Sequence, residues 1–385
     1  MPTRGDSNRG MYSNAVRRQS SSRGPRGWRR GAASDTGSKP RTSQADMSAS
    51  RPPVSGTPTS HRRMDLMASV SRSSGLEKDG DDLKNFGVQE EYREFIREKT
   101  SEVVEMFTRR TTETADQRRQ RIDKQENLLI LFRKLREGVS SSSRQDDFAL
   151  EVYQTSLYYS IIFESPKQTT SIHLHLLPAR SSKDLKSNEI IWPSPSICSI
   201  LGSLLHHLVA FYPSQSAYHQ YLASVPERLL PRNSNVSTWL LSLTKSLRRR
   251  DYARFAILSQ TSNIIGLLDS SRDRTMGDEN PPARSSMRYE VDGLATSAVL
   301  FLVDALRKKA SDTSWRILRS AYRELWCDQA YPETKTWLKR NLTLESINPN
   351  HTQFNIEPWF EEKLSLGEIR KKEGTEGRWI VCKAS

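Results

Sequence analysis

Cysteine is scarce in this chain of 385 residues, which has only Cys198, Cys327 and Cys382. The three lie far apart and form no CxxC pair, so neither a disulfide framework nor a zinc knuckle is indicated, and a reducing compartment fits best. No apolar run approaches the roughly 20 residues that a membrane span needs. The longest, around 298–303, stops at Asp304. We therefore expect a soluble protein that does not cross a membrane.

Signatures of catalysis are also missing. Neither GxxxxGK[ST] nor GxGxxG occurs, so nucleotide-driven chemistry is unsupported. His173 and His175 have no evident acidic third ligand, and the adjacent His206 and His207 point in different directions. Nothing orients a base toward the Cys198 thiol. We therefore expect no enzyme activity, cofactor, metal or small-molecule substrate, and we keep catalysis only as the weakest of three hypotheses.

Aliphatic clusters are nearly absent from residues 1–75, which are filled with Ser, Gly, Pro and Arg. This stretch holds 14 Lys/Arg against 4 Asp/Glu, a net charge of +10 out of +14 for the whole chain. Burial could not offset its ordering entropy, so a disordered basic arm and linker is predicted over 1–88. Its arginines, with Tyr12 and Trp28 among them, could bind phosphates and stack on bases, or the arm could be an inert solvated tail.

Beyond residue 88 the apolar residues recur at helical spacing with few interruptions. Breaks are expected at 140–143, at Pro166 and in polar loops at 181–188 and 269–286. The predicted helices are 92–107, 122–135, 146–163, 197–211, 215–225, 236–247, 294–306 and 313–326. A β-prone run at 379–381 follows a turn, and residues 354–356 are its expected partner. The chain is thus predicted to be all-α, with a helical-repeat domain at 89–310 capped by a winged-helix module at 311–385 that carries a small β-hairpin.

Three segments resemble signatures of the Sac-three/GANP family. Residues 148–155 are similar to its opening helix, 251–255 (Asp-Tyr-Ala-Arg-Phe) to its Asn-Tyr-x-x-Phe signature, and 314–323 to its Ala-Tyr-Arg helix. The family's Phe-Asn-Gln-Cys-Gln segment has no counterpart after Phe163, which makes this chain a divergent member. The resemblance implies a PCI-type helical repeat with a winged helix. It places four motif residues in the core, namely Tyr153, Tyr252, Phe255 and Tyr322.

The resemblance further implies a nuclear scaffold, with the cytoplasm as a second expected location, that acts in messenger-RNA export or processing. Its expected partners are RNA and other proteins, either of the PCI type or small and acidic. The alternative is a structural subunit of a proteasome-lid, signalosome or initiation-factor-like assembly that binds no nucleic acid.

Clusters of basic residues in the last third of the chain are the candidate nucleic-acid contacts. They are Arg248, Arg249, Arg250, Lys308, Lys309, Lys335, Lys339, Arg340, Arg370, Lys371 and Lys372. On one shared face they would form a groove for phosphates. On separate faces they would be solvated caps, some of them complementing helix dipoles.

Tryptophans near the end of the chain have two expected roles. Trp337 or Trp359 could stack on bases. Trp379 is predicted to lie in the core. Trp359 and Phe360 are predicted to form an exposed interface, because two adjacent rings should not both face one small core.

Overall fold

The computed structural model describes residues 64–72, 81–108, 113–177, 195–272, 285–327, 332–344 and 356–383. All of them belong to one compact unit spanning 58–385. The part of the predicted arm at 1–63 and the predicted loop at 181–188 lie outside the described residues. None of the described helices is both long and apolar enough to cross a membrane.

The described residues fold mainly into helices, with one small antiparallel sheet near the end of the chain, which confirms a predominantly helical fold. The helices are α1 (Phe86–Thr108), α2 (Ala115–Ser141), α3 (Asp147–Ile162), α4 (Pro166–Leu176), α5 (Ile197–Phe211), α6 (Ser216–Ser224), α7 (Asn235–Arg249), α8 (Tyr252–Leu258), α9 (Thr261–Arg272), α10 (Ser285–Ala321), α11 (Pro332–Asn341) and α12 (Glu357–Ser365). The strands are β1 (Glu324–Trp326), β2 (Ile369–Lys371) and β3 (Arg378–Val381).

Short polar side chains fix where several helices begin, because they accept hydrogen bonds from backbone N–H groups of the first turn. The N-cap residues that do so are Thr114, Asp146, Ser196, Ser234 and Asp251. Thr114 and Gln117 complete a reciprocal capping box at the start of α2. Pro166 was expected to mark a loop, but it begins α4, where its missing N–H is not needed.

The larger hydrophobic cluster, here called the main core, runs from Met64 to Ala310. Helix α10 packs against α3 and α5, α3 packs against α2 and α4, and α1 packs against α2. The family-motif residues Tyr153, Tyr252 and Phe255 are buried in this core, which confirms their predicted placement. Phe255 is fully buried.

The segment before α1 is ordered where the structure describes it, so the predicted disorder to residue 88 is wrong there. Met64 and Met67 are buried in the main core, and the Lys134 ammonium donates to the Met67 carbonyl at 2.7 Å. Leu83, in a 3-10 turn at Asp82–Lys84, is fully buried. A few apolar side chains, too sparse to show periodicity, anchor this segment.

Helix α10 is one continuous helix, although two helices separated near residue 310 were predicted. The intervening Ser-Asp-Thr-Ser contains neither glycine nor proline. Its hydroxyls are satisfied within the fold, since Thr313 donates to the Lys309 carbonyl at 3.0 Å and Ser314 to the Asn341 carbonyl at 2.9 Å. The helix therefore continues to Ala321, and Trp326, expected in a helix, lies in β1.

A second hydrophobic cluster, here called the C-terminal core, begins at Trp315 and ends at Val381. We call residues 315–327, 332–344 and 356–383 the C-terminal module. The predicted boundary at 310/311 falls within α10, between Ala310 of the main core and Trp315 of the C-terminal core.

The sheet of this module has the order β1-β3-β2, antiparallel throughout. The strand predicted at 379–381 is confirmed, but its expected partner at 354–356 is wrong. Ile356 precedes α12 as its N-cap residue, while 354 and 355 lie outside the described residues. Strand β3 pairs instead with β1 and β2, whose three-residue lengths give little pattern to detect.

Trp359 and Phe360 are both buried, so the predicted exposed interface is wrong. The Trp359 ring packs edge-on against Trp315 at 4.9 Å, and the Phe360 ring stacks on Trp379 at 4.8 Å. Adjacent rings therefore do share one small core, because each has its own aromatic partner within it. The predicted burial of Trp379 is confirmed.

Candidate nucleic-acid interface

One residue of the basic run that ends α7 and one basic residue of the run on α10 line the same cleft. Arg248 and Arg249 are exposed at the end of α7. Arg250 follows in the left-handed conformation, with φ of 58° and ψ of 28°. Arg250 and Lys309 line a cleft of about 500 Å³, while Lys308 pairs with Asp304 at 3.1 Å. Two clusters separated in sequence thus contribute to one cleft.

The three basic residues of α11 differ in their contacts and exposure. The Lys335 ammonium lies 3.0 Å from a Glu357 carboxylate oxygen and so joins α11 to α12. Lys339 is half-buried and Arg340 is exposed. Among the described residues, Arg340 forms no ion pair, which leaves its charge available to a ligand.

The sheet has one apolar and one basic face. Leu325, Ile369, Trp379 and Val381 are buried against the helices of the C-terminal module. Because side chains alternate along a strand, the neighbouring positions face the other way. We call these the outer sheet face, and they are Glu324, Trp326, Arg370, Lys372, Arg378 and Ile380.

Three cations and one carboxylate lie on the outer sheet face. The Lys372 ammonium hydrogen-bonds a Glu324 carboxylate oxygen at 3.0 Å and lowers the pKa of that carboxyl. The Arg378 guanidinium lies 3.5 Å from the centre of the Trp326 ring, a cation–π contact. Lys371, by contrast, occupies a position of β2 on the opposite face of the sheet, and its ammonium lies 5.6 Å from the centre of the Trp379 ring. The outer face therefore keeps a net positive charge beside an accessible indole.

Three aromatic rings of the C-terminal module are exposed, and one of them, Trp326, lies on the outer sheet face. Trp326 is 36% exposed. Tyr322 (45% exposed) and Trp337 (37% exposed) lie with ring centres 5.6 Å apart at 68°. Tyr322 was predicted to be a core residue, and this is wrong. It lies one residue beyond the end of α10, so its side chain leaves the buried face of that helix.

Sequence reasoning missed Trp326 and Arg378 as members of this surface. Both lie on strands of three and four residues, and Trp326 was assigned to a helix. Arg378–Val381 is one charged residue followed by three apolar ones, so the alternating burial of β3 leaves no alternation in its sequence that could have placed Arg378 on an outer face.

A histidine cluster in the main core is the other group of side chains in the described chain that could take part in chemistry or metal binding. The rings of His173 and His207 lie 4.8 Å apart, and each lies 5.0 Å from Tyr221. Burial, followed by the neighbouring histidines, lowers the pKa of His173 and His206 to about 4. In the part of the chain that the structure describes, no three His, Cys, Asp or Glu side chains are placed to hold a metal ion.

Comparisons with protein-family models, with curated proteins and with solved structures return no match to this chain.

Proposed function

We propose that this chain is a non-catalytic scaffold that binds single-stranded RNA through the outer sheet face of its C-terminal module. The observation that carries the proposal is the combination of Arg370, Lys372 and Arg378 with the exposed ring of Trp326 on one face of the sheet; the same module also exposes the rings of Tyr322 and Trp337. Proteins that bind single-stranded nucleic acids without sequence preference use cations to contact the phosphates and aromatic rings to stack on the bases.

The proposal includes a winged-helix assignment for the C-terminal module. Its elements follow in the order α10, β1, α11, α12, β2, β3, and the sheet order is β1-β3-β2. This order is typical of winged-helix domains, but a fold alone does not fix a function. In this module the third helix, α12, exposes Glu357, Glu361 and Glu362, which would repel phosphates. The sheet face is therefore the favoured RNA surface.

The resemblance to the Sac-three/GANP family supports a wider role in the same direction. It is carried in part by Tyr153, Tyr252 and Phe255, which are buried as a packing motif requires. On this basis we propose a nuclear scaffold of messenger-RNA export or processing, with PCI-type or small acidic proteins as partners. Affinity purification followed by mass spectrometry, with and without nuclease, tests this role. Nuclease-resistant recovery of lid, signalosome or initiation-factor subunits would favour the structural-subunit alternative instead.

Stacking by Trp326 and Trp337 is the direct test of the RNA surface. Each base stacked on an aromatic ring contributes about 1–3 kcal/mol of binding free energy. Trp326→Ala and Trp337→Ala should therefore each weaken binding of an unstructured RNA oligonucleotide by roughly tenfold or more, measured by fluorescence anisotropy. The matched control is Phe86→Ala, which removes an exposed aromatic ring from α1. Equal affinities for all of these proteins would rule out the outer sheet face.

A further inference from the structure

The cleft that contains Arg250 and Lys309 is a site distinct from the outer sheet face. Its walls are the connection after α5, with Tyr212 and Pro213, the residue after α7, and one side of α10 from Lys309 to Ser320. The volume of about 500 Å³ lies within the range of small-molecule sites. The cleft is therefore large enough for a ligand of nucleotide size.

The charge in this cleft is positive. Arg250, Lys309 and Arg316 face a single carboxylate, that of Asp312. Within the described ranges neither Arg250 nor Arg316 forms an ion pair. Lys309 gives one hydrogen bond to the Val209 carbonyl at 2.5 Å, which leaves two of its three donors. These groups suit a phosphate, which accepts paired hydrogen bonds from guanidinium groups.

The backbone of Arg250 forms the cap at the C-terminal end of α7. Its left-handed conformation is one that glycine adopts freely and other residues adopt at a cost, and glycine is favoured directly after a helix. The turn itself is held by Arg250 N–H to the Leu247 carbonyl at 3.1 Å and Asp251 N–H to the Ser246 carbonyl at 2.9 Å. Neither bond uses the guanidinium. The same left-handed turn, with the same pair of hydrogen bonds, closes α2, α3 and α11 at Ser143, Glu164 and Thr343, so it belongs to helix capping and leaves the Arg250 guanidinium for other contacts.

The other lining of the cleft is aromatic and apolar. Tyr212 is half-buried, lies close to Tyr252 of the main core and lines the cleft. Ile317 and Pro213 lie nearby in the same lining. A ligand that satisfies both kinds of lining carries a phosphate and a planar ring.

We propose that this cleft binds a nucleoside monophosphate unit, with Arg250 and Arg316 on the phosphate and Tyr212 against the base. The site is independent of the outer sheet face, and its ligand is either a free nucleotide or one unit of an RNA strand. Both sources share the same phosphate and base chemistry.

The test uses the full chain and isothermal titration with adenosine monophosphate, uridine monophosphate, inorganic phosphate and unphosphorylated adenosine. Both monophosphates should bind more tightly than phosphate, and adenosine should not bind measurably. Arg250→Gly and Arg316→Gln should each weaken monophosphate binding by roughly tenfold or more, since each removes a charge-assisted hydrogen-bond donor. Arg254→Gln, which removes an exposed arginine of α8 outside the cleft lining, is the matched control and should bind as the parent does.

Folding defects cannot mimic this result, because Arg250→Gly relieves the left-handed backbone and should melt at the same temperature as the parent chain or higher. A ten-nucleotide RNA that binds more tightly than the monophosphates, with the same loss in Arg250→Gly, assigns the unit to a strand. Weaker binding of that RNA assigns a free nucleotide. Equal binding of phosphate and monophosphates, tighter binding of a phosphoserine peptide, or unchanged affinity in both variants would overturn the proposal.

Failure here is distinguishable from failure of the proposed RNA surface. Trp326→Ala alters the outer sheet face and Trp337→Ala alters α11 of the same module, and both should leave monophosphate binding to the cleft unchanged. Loss of monophosphate binding in those two variants would contradict the independence of the two sites.

Discussion

Single buried residues decide how this protein responds to pH. His173 and His206 lie in the main core, where burial and the neighbouring histidines lower their pKa to about 4. Folding therefore requires both rings to be neutral, whereas in the unfolded chain they bind protons below a pH of about 6.5. The contribution of these histidines to the free energy of unfolding is therefore fully present above that pH, and it is lost as the pH falls toward 4.

We predict that the free energy of unfolding drops between pH 7 and pH 5 by up to about 2 kcal/mol for each of these two histidines. Most carboxylates stay ionised in this window, so the change reports mainly on histidine. Urea titrations at the two pH values measure it. The double variant His173→Gln/His206→Gln should show a much smaller drop, and a parent chain equally stable at both values would contradict the assignment.

Phe255 illustrates how burial sets the effect of a substitution within one short helix. It is fully buried, whereas Ile257, two positions later in α8, is half exposed. Phe255→Ala should lower the free energy of unfolding by about 3–5 kcal/mol, because it opens a cavity in the main core. Ile257→Ala should change it by about 0.5 kcal/mol or less. Chemical denaturation compares the two, and similar losses would show that Phe255 does not lie in the core.

At the scale of secondary-structure elements, one close backbone approach fixes the segment before α1. A Cβ atom added at Gly138 of α2 would lie 2.6 Å from the Leu83 carbonyl oxygen and 3.0 Å from the Leu83 Cβ. Only glycine therefore allows the 3-10 turn at Asp82–Lys84 to pack on α2. The same contact buries Leu83 in the main core.

Gly138→Ala should destabilise the protein by about 1–3 kcal/mol as an overpacked contact. Alanine ordinarily stabilises a helix relative to glycine by about 1 kcal/mol. The matched control is Gly293→Ala in α10, where an added Cβ would meet no atom within 4 Å. Thermal melts should thus move in opposite directions for the two variants. A higher melting temperature for both would show that the turn does not rest on α2.

Helices with strong apolar periodicity could be predicted from the sequence, and elements fixed by tertiary contacts could not. The helix predicted at 197–211 has the bounds observed for α5, because an N-cap serine and a dense apolar face mark it locally. Strand β1 and the continuity of α10 depend on partners far away in sequence. Arg307 belongs to the same class, since it is buried and donates to Ser259 and to the Thr343 carbonyl rather than facing solvent with Lys308.

The candidate site was predictable in composition but not in arrangement. Arg250, Lys309, Arg370 and Lys372 were identified from charge, yet the sequence could not pair Arg250 with Lys309 across one cleft. Trp359 was predicted to be exposed and is buried, whereas Tyr322 was predicted to be buried and is exposed. Ring exposure depends on neighbours such as Trp315, which no local pattern reveals. The shared groove for all the basic clusters stays a prediction.

At the scale of the whole molecule, the two hydrophobic clusters share the single helix α10. Arg307 connects the main core to the C-terminal module by donating to the Ala256 carbonyl in α8 and to the Thr343 carbonyl after α11. A ligand bound to the module is therefore bound to a surface that packs against the rest of the described chain.

The arm at 1–75 adds a net charge of +10 from its 14 Lys/Arg and 4 Asp/Glu. RNA affinity must therefore be compared between full chains that share this arm.

RNA affinity should fall with salt, because each phosphate neutralised by a cation releases counterions. For single strands the log-log slope is about −0.7 per phosphate. Arg370→Glu/Arg378→Glu should weaken binding of every RNA sequence alike and make that slope shallower, since these cations contact phosphates and not base edges. Lys339→Glu/Arg340→Glu on α11 should act in the same direction if the two surfaces are continuous. Fluorescence anisotropy across a salt series measures all three proteins.

Arg118→Glu/Arg119→Glu is the matched control, because it reverses the same number of charges at exposed positions of α2. Its slope should equal that of the parent chain if binding depends on the C-terminal module, and should become equally shallow if only net charge matters. Sequence-selective loss in Arg370→Glu/Arg378→Glu would instead indicate base readout. An unchanged slope in that variant would place the phosphate contacts elsewhere, and the structural-subunit hypothesis would then account better for the module.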